Sequence, residues 1–192
     1  MLIVGLGNPG EKYEGTYHNL GFAALDAVAD AIGVKTDRKG DGALYCKTYV
    51  NGRKVVLAKP QTFMNLSGES VRMLLGSNGF SPEECVILYD DVEIPVGTLR
   101  ARASGSAGTH NGMRSVIAET GSTAFKRVRI GAGFDRGRAQ LRDIVLSKIR
   151  GENKELADGA ISEAAAAIVR WLEDGDFDAL MRRCNTYGKE KH

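Results

Sequence analysis

The sequence is poor in cysteine, proline, histidine and tryptophan, with three, four, three and one of them in 192 residues, and it has no long apolar run. Cys46, Cys85 and Cys184 are odd in number, far apart and free of C-x-x-C spacing. That pattern argues against a disulfide framework or a zinc site, and for buried thiols in a reducing cytosol. No stretch approaches the roughly 18–20 apolar residues that span a bilayer. The opening MLIVGLGNPG lacks the basic n-region and longer apolar stretch of a signal peptide. A cytoplasmic chain with no membrane segment is therefore expected. Low-complexity blocks, linkers and internal repeats are missing too, so a single domain over residues 1–192 is expected. A strong overall charge is also lacking: the net is only +2.

The charge is nevertheless unevenly spread. Residues 98–150 carry eleven Lys/Arg against three Asp/Glu, a net of +8, and residues 151–178 carry two against eight, a net of −6. One positive surface fits this distribution, as do two ordinary solvated faces. Apolar runs at Leu2–Gly5, Cys85–Tyr89 and Val128–Gly133 read as buried strands, the second ending at Asp90-Asp91. Thr98–Ala103 alternates like a further strand. Leu44–Val50 and Lys54–Lys59 flank Asn51-Gly52, a strong hairpin signal, and Pro60 should end the second of them. Helical spacing predicts helices over Asn19–Val34, Glu69–Leu75, Asn111–Thr120, Glu152–Asp174 and Asp178–Tyr187. The expected fold is α/β: a single domain with a twisted mixed β-sheet flanked by helices on both faces, and a C-terminal helical segment over about 152–187 packed on it.

Gly5-Leu-Gly-Asn-Pro-Gly10 fits the G-x-G-x-x-G dinucleotide fingerprint. Its context does not: no helix opens within the motif, and the strand ending in Lys59-Pro60 offers no acidic residue for a ribose. The glycines read better as a tight loop presenting Asn8. His192 is the last residue, which leaves His18 and His110 as bases near neutral pH. Each is followed by Asn at a predicted helix start, where the Asn would serve equally as an N-cap. Asp90 and Asp91 follow a central strand, where a carboxylate can orient an imidazole or simply form a turn. Asn8, Asn19, Asn65 and Asn111 can cap, turn or bind a carbonyl. No Ser lies in a nucleophile elbow and no Cys adjoins a His, so water activated by a histidine is a simpler proposal than covalent catalysis.

Taken together, Val4-Gly-Leu-Gly-Asn-Pro-Gly10, Tyr17-His-Asn-Leu-Gly-Phe22, Lys59-Pro-Gln-Thr-Phe-Met-Asn-Leu-Ser-Gly68, Tyr89-Asp-Asp-Val-Glu-Ile-Pro95, Gly105-Ser-Ala-Gly-Thr-His-Asn-Gly112 and Arg127-Val-Arg-Ile-Gly131 resemble the motifs of bacterial peptidyl-tRNA hydrolase, in order and in spacing. The resemblance runs from Leu2 to about Leu146, and its most specific stretch is Thr62-Phe-Met-Asn-Leu-Ser-Gly68. It implies hydrolysis of the ester between a peptide and the 3′-terminal ribose of tRNA, without metal or cofactor. It makes His18 the general base, Asp90 the residue orienting it, and Asn8 the group that separates peptidyl from unblocked aminoacyl substrates. Tyr13 and Phe63 would line the site, with Met64 packed beside it. Asn65 and Asn111 would bind substrate, and Arg102 and Arg129 would grip tRNA phosphates. The implied partner is peptidyl-tRNA, through its acceptor end and backbone phosphates, and the implied state is a monomer with no obligate protein partner. A non-catalytic RNA-binding relative is the alternative. Three departures stand out: Tyr17 where the family often has Arg, Thr109 where the glycine loop often has a second Gly, and Glu93 where some members have Asp.

Overall fold

A computed structural model describes residues 1–133 and 140–188, the side chains of residues 141 and 142 excepted. His192 lies outside the described residues. The chain forms β1 (Leu2–Gly5), α1 (Leu20–Ala31), β2 (Arg38–Gly40), β3 (Ala43–Val50), β4 (Arg53–Pro60), α2 (Ser67–Asn78), β5 (Cys85–Pro95), β6 (Leu99–Arg102), α3 (Asn111–Thr120), β7 (Lys126–Gly133), α4 (Leu141–Val145), α5 (Glu152–Asp174) and α6 (Phe177–Thr186). Single 3-10 turns lie at Glu11–Tyr13, Tyr17–Asn19, Met64–Leu66 and Pro82–Glu84.

Seven strands make one sheet in the order β2-β3-β4-β1-β5-β7-β6. The four central strands run parallel, and antiparallel pairs close both flanks. This explains the continuous apolar runs of β1 and the first half of β5, since central parallel strands are covered on both faces. One face packs on α1, α5 and α6 through Leu25, Val28, Ala164, Ile168 and Leu180. The other packs on α2 and α3 through Val71, Leu74, Met113 and Val116. Each large aliphatic side chain buried this way contributes about 1.5–3 kcal/mol.

Several expectations hold and several need correction. Asn51 and Gly52 both take positive φ, 48° and 74°, the geometry of a tight hairpin turn that matches strand twist. The structure differs at β5, which does not stop at Asp90-Asp91. Both residues stay in the ladder, opposite Ile130 and Gly131, and the register slips only between Asp91 and Pro95. Pro60 likewise pairs with Ala43 as the last residue of β4. It lies beyond Ala58, the last partner of β1, so its missing N–H removes no bond on that side. The short edge strand β2 and the short α4 carry no periodicity that the sequence reading detects.

Gly5, the first glycine of the G-x-G-x-x-G motif, has a packing role. A Cβ on Gly5 would lie 2.3 Å from the Gly21 carbonyl oxygen, and one on Gly21 would lie 2.3 Å from the Leu88 oxygen. This backbone-to-backbone approach seats the start of α1 directly on β1 and β5. It brings the turn holding His18 over the end of β5, where Asp90 lies.

Candidate active site

A cleft of about 910 Å³ opens outside the carboxyl ends of β1, β4, β5 and β7, where parallel α/β sheets commonly place ligands. Asn8, Tyr13, His18, Phe63, Met64, Asn65, Asp90, Arg102, Asn111 and Arg129, the residues to which the family resemblance gives roles, line it, and Asn19 does not. They are not equivalent. Asn8, His18 and Asp90 are buried, as is Met64, whereas Phe63, Asn65, Arg102 and Asn111 are exposed.

At the floor, Asp90 is only 2% exposed. His18 Nδ1 sits 2.9 Å and 3.1 Å from its two carboxylate oxygens. A carboxylate can only accept, so His18 carries its proton on Nδ1. Nε2 then has a lone pair and no protein partner among the described residues. His110 reaches the same carboxylate from the other side, with Nε2 3.0 Å from Oδ1. Burial by itself disfavours ionisation of Asp90. The charge that His110 would carry in acid, the hydrogen bonds from His110 and His18 and the charge that His18 would carry there outweigh it, holding the carboxyl well below the usual carboxylate range. Ligating atoms of His18, Asp90 and His110 lie within 4.8 Å of one another. They are joined directly by hydrogen bonds in which both imidazole nitrogens, His18 Nδ1 and His110 Nε2, donate, so neither of those nitrogens offers a lone pair to a metal.

Asn8 is fixed as tightly. Its backbone N–H donates to Asn19 Oδ1 at 2.8 Å, and Asn19 Nδ2 donates to its carbonyl at 3.0 Å. Asn19 therefore clamps the glycine loop; although it occupies the N-cap position of α1, its side chain makes no cap bond. Asn8 Oδ1 accepts the Met64 backbone N–H at 2.9 Å. With the oxygen engaged, the amide Nδ2 hydrogens are the groups left to act.

His110 rather than Asn111 is the N-cap of α3, its Nδ1 accepting the Met113 backbone N–H at 3.2 Å. In the loop before it, Gly105 and Gly108 take positive φ, 149° and 58°. Thr109 does not, so this position has no need of glycine. A Cβ on Gly112 would lie 2.6 Å from Met64 Sδ and 2.9 Å from the His110 ring, so only glycine fits between them.

The arginines divide into types the sequence does not distinguish. Arg102 is exposed at the rim. Arg129 is half-buried and donates to Asp91 at 2.9 Å, and its Nε has no partner among the described residues. Arg127 is 2% exposed and donates to the carbonyls of Ser106, Thr123 and Phe125, tying the glycine loop to β7. Arg127 is thus a part of the site to which the sequence gives no separate role, while Asp91, Asn19 and His110, open above between structural and chemical roles, each take a defined partner. The cysteines are free and buried, and burial pushes the Cys184 thiol up to about 12.

Known proteins resemble the chain in sequence and in fold. The profile of the peptidyl-tRNA hydrolase family matches residues 2–192. The peptidyl-tRNA hydrolase of Alkaliphilus metalliredigens is 44% identical over 184 residues, covering 96% of this chain and 98% of the relative. That of Halalkalibacterium halodurans is 45% identical over 172 residues, covering 88% and 93%. The crystal structure of the Acinetobacter baumannii peptidyl-tRNA hydrolase superposes with a TM-score of 0.90 at 33% identity, over 97% of this chain and 94% of that one. With the family profile matched along almost its whole length and relatives 44–45% identical, the chain belongs to the peptidyl-tRNA hydrolase family.

Proposed function

We propose that this chain hydrolyses the ester joining the peptide of peptidyl-tRNA to the 3′-terminal ribose, with water activated by His18. The observation that carries the reading is the His18–Asp90 pair, 2.9 Å apart at the floor of the cleft, with no partner for His18 Nε2 among the described residues. Nε2 takes a proton from water as the water attacks the ester carbonyl. Asp90 holds the Nδ1–H tautomer and stabilises the imidazolium that forms. The proton then passes to the departing ribose oxygen. No covalent acyl-enzyme forms in this reading, since no serine or cysteine is hydrogen-bonded to His18 among the described residues.

Asn8 supplies both stabilisation and selection. Its Nδ2 hydrogens donate to carbonyl oxygen, whether the oxyanion of the reacting ester or the amide carbonyl of a blocked amino acid. The same hydrogens cannot accept from the ammonium of a free aminoacyl group, which would meet donor against donor. Phe63, 53% exposed, offers a stacking face for a terminal base, with Tyr13 as a second aromatic wall. Asn65 and Asn111 bind the substrate at the rim. Arg102 and Arg129 take backbone phosphates, a sequence-independent grip suited to many tRNAs. The reading includes a cytoplasmic monomer acting without metal or cofactor. Among the described residues no helix is long and apolar enough to cross a membrane.

The test is release of tRNA from N-acetyl-aminoacyl-tRNA beside the same tRNA carrying a free aminoacyl group. Cleavage of the blocked substrate alone is expected. Binding of tRNA with cleavage of neither would replace this reading with a non-catalytic RNA-binding protein.

A further inference from the structure

The reaction uses His18 and Asp90 but gives no work to His110, which is 8% exposed and makes two hydrogen bonds with opposite requirements. The Met113 backbone N–H can only donate, so His110 Nδ1 must be a bare acceptor. The Asp90 carboxylate can only accept, so Nε2 must carry hydrogen. Both bonds are met at once only by the neutral Nε2–H imidazole. A second proton on Nδ1 would set donor against donor and remove a cap from α3. The ring cannot turn away easily. Tyr89 packs on it at 4.7 Å between centroids, His18 edges it at 5.2 Å, and Gly112 leaves no room behind Cε1.

We infer that His110 is a positioning residue: a neutral, tautomer-locked donor that fixes the Asp90 carboxylate and limits the negative charge that His18 experiences. This rests on the proposed role of His18 as the base. The titratable groups facing the ring are Asp90 and Tyr89 from β5 and His18 from the turn before α1. Arg127 and Arg129 of β7 and Asp91 act on Tyr89 from behind. Two bonds on one ring also link chemistry to fold, since the helix cap that orients His110 sets where Asp90 points.

Two substitutions separate the bonds. His110→Asn keeps an acceptor near the Nδ1 position and so keeps the cap, but it cannot reach Asp90. His110→Gln places an amide donor near the Nε2 position and loses the cap. Without the His110 donor, Asp90 is more basic toward His18, and His18 holds its proton to higher pH. The acid limb of kcat/KM against pH for N-acetyl-aminoacyl-tRNA should therefore move upward in His110→Asn by about one unit, with kcat lower by about tenfold. His110→Gln should keep the wild-type acid limb and show a lower Tm. An unmoved acid limb in His110→Asn, or a shift in His110→Gln alone, would reduce His110 to a helix cap.

Imidazole nitrogen NMR on the unaltered protein reads the tautomer without reference to catalysis. His110 should keep a protonated Nε2 and bare Nδ1 while His18 titrates. A doubly protonated His110 in that range overturns the inference even if the enzyme is active. A locked His110 in an inactive protein would instead tell against the proposed reaction.

Discussion

The floor and the rim of the cleft are built on different principles. At the floor, Asn8, His18, Asp90 and His110 are each at most 9% exposed, and each is held by hydrogen bonds from other parts of the chain. At the rim, Phe63, Asn65, Arg102 and Asn111 stand in solvent. Groups that meet charge developing in a transition state gain most when they are fixed and dry beforehand. Groups that grip a long, variable polyanion gain from remaining solvated and adaptable, because phosphate contacts need charge more than exact position. The floor should therefore govern kcat, and the rim KM and salt dependence.

Breaking the floor gives the largest effects. His18→Ala should lower kcat on N-acetyl-aminoacyl-tRNA by about 10²–10⁴-fold while tRNA still binds in a filter or fluorescence assay. Retained turnover would remove His18 as the base. Asn8→Ala takes away the amide donor and should lower kcat by about 10²-fold, with part of the preference for blocked substrate lost. An unchanged ratio of blocked to free cleavage would take Asn8 out of substrate selection. Arg102→Ala, at the rim, should leave kcat near wild type, weaken tRNA binding, and reduce the slope of log K against log salt by about one. A large loss of kcat instead would mean that rim and floor are not separable.

The smallest effect concerns stability. The native Asp90 carboxyl is held well below its ordinary 3.8, so its stabilising contribution is fully present above that pH and declines as pH falls toward the native value. Relative to Asp90→Asn, wild-type stability should fall below about pH 4 by up to ~1.4 kcal/mol per pH unit. A constant gap between the two in acid denaturation curves would show that this carboxyl is not selectively stabilised in the native state.

The same contrast sets what the sequence could reveal. The hairpin at Asn51-Gly52 and the bounds Asn111–Thr120 and Glu152–Asp174 follow from local signals, and the structure keeps them. Asp90-Asp91 resembles a turn only while its charges look unmet. The histidines that satisfy Asp90 are 72 and 20 residues away, and Asp91 is paired with Arg129 at a separation of 38, so the strand runs on. Arg127 and Arg102 look alike in a basic stretch, yet one is buried against carbonyls and the other exposed. Burial and long-range partnership decide these cases, and neither leaves a periodic trace. The family motifs point to residues that the fold brings together at the floor, because motif order substitutes for the contacts that spacing cannot show.

The account stands on His18 and Asp90 acting as one unit, and a double-substitution cycle tests that most directly. Single-turnover hydrolysis of N-acetyl-aminoacyl-tRNA would be measured for wild type, His18→Ala, Asp90→Asn and the pair together. If Asp90 works only through His18, the double variant should be no slower than His18→Ala alone. Losses that multiply would show the carboxylate acting independently of the histidine, and would contradict the mechanism.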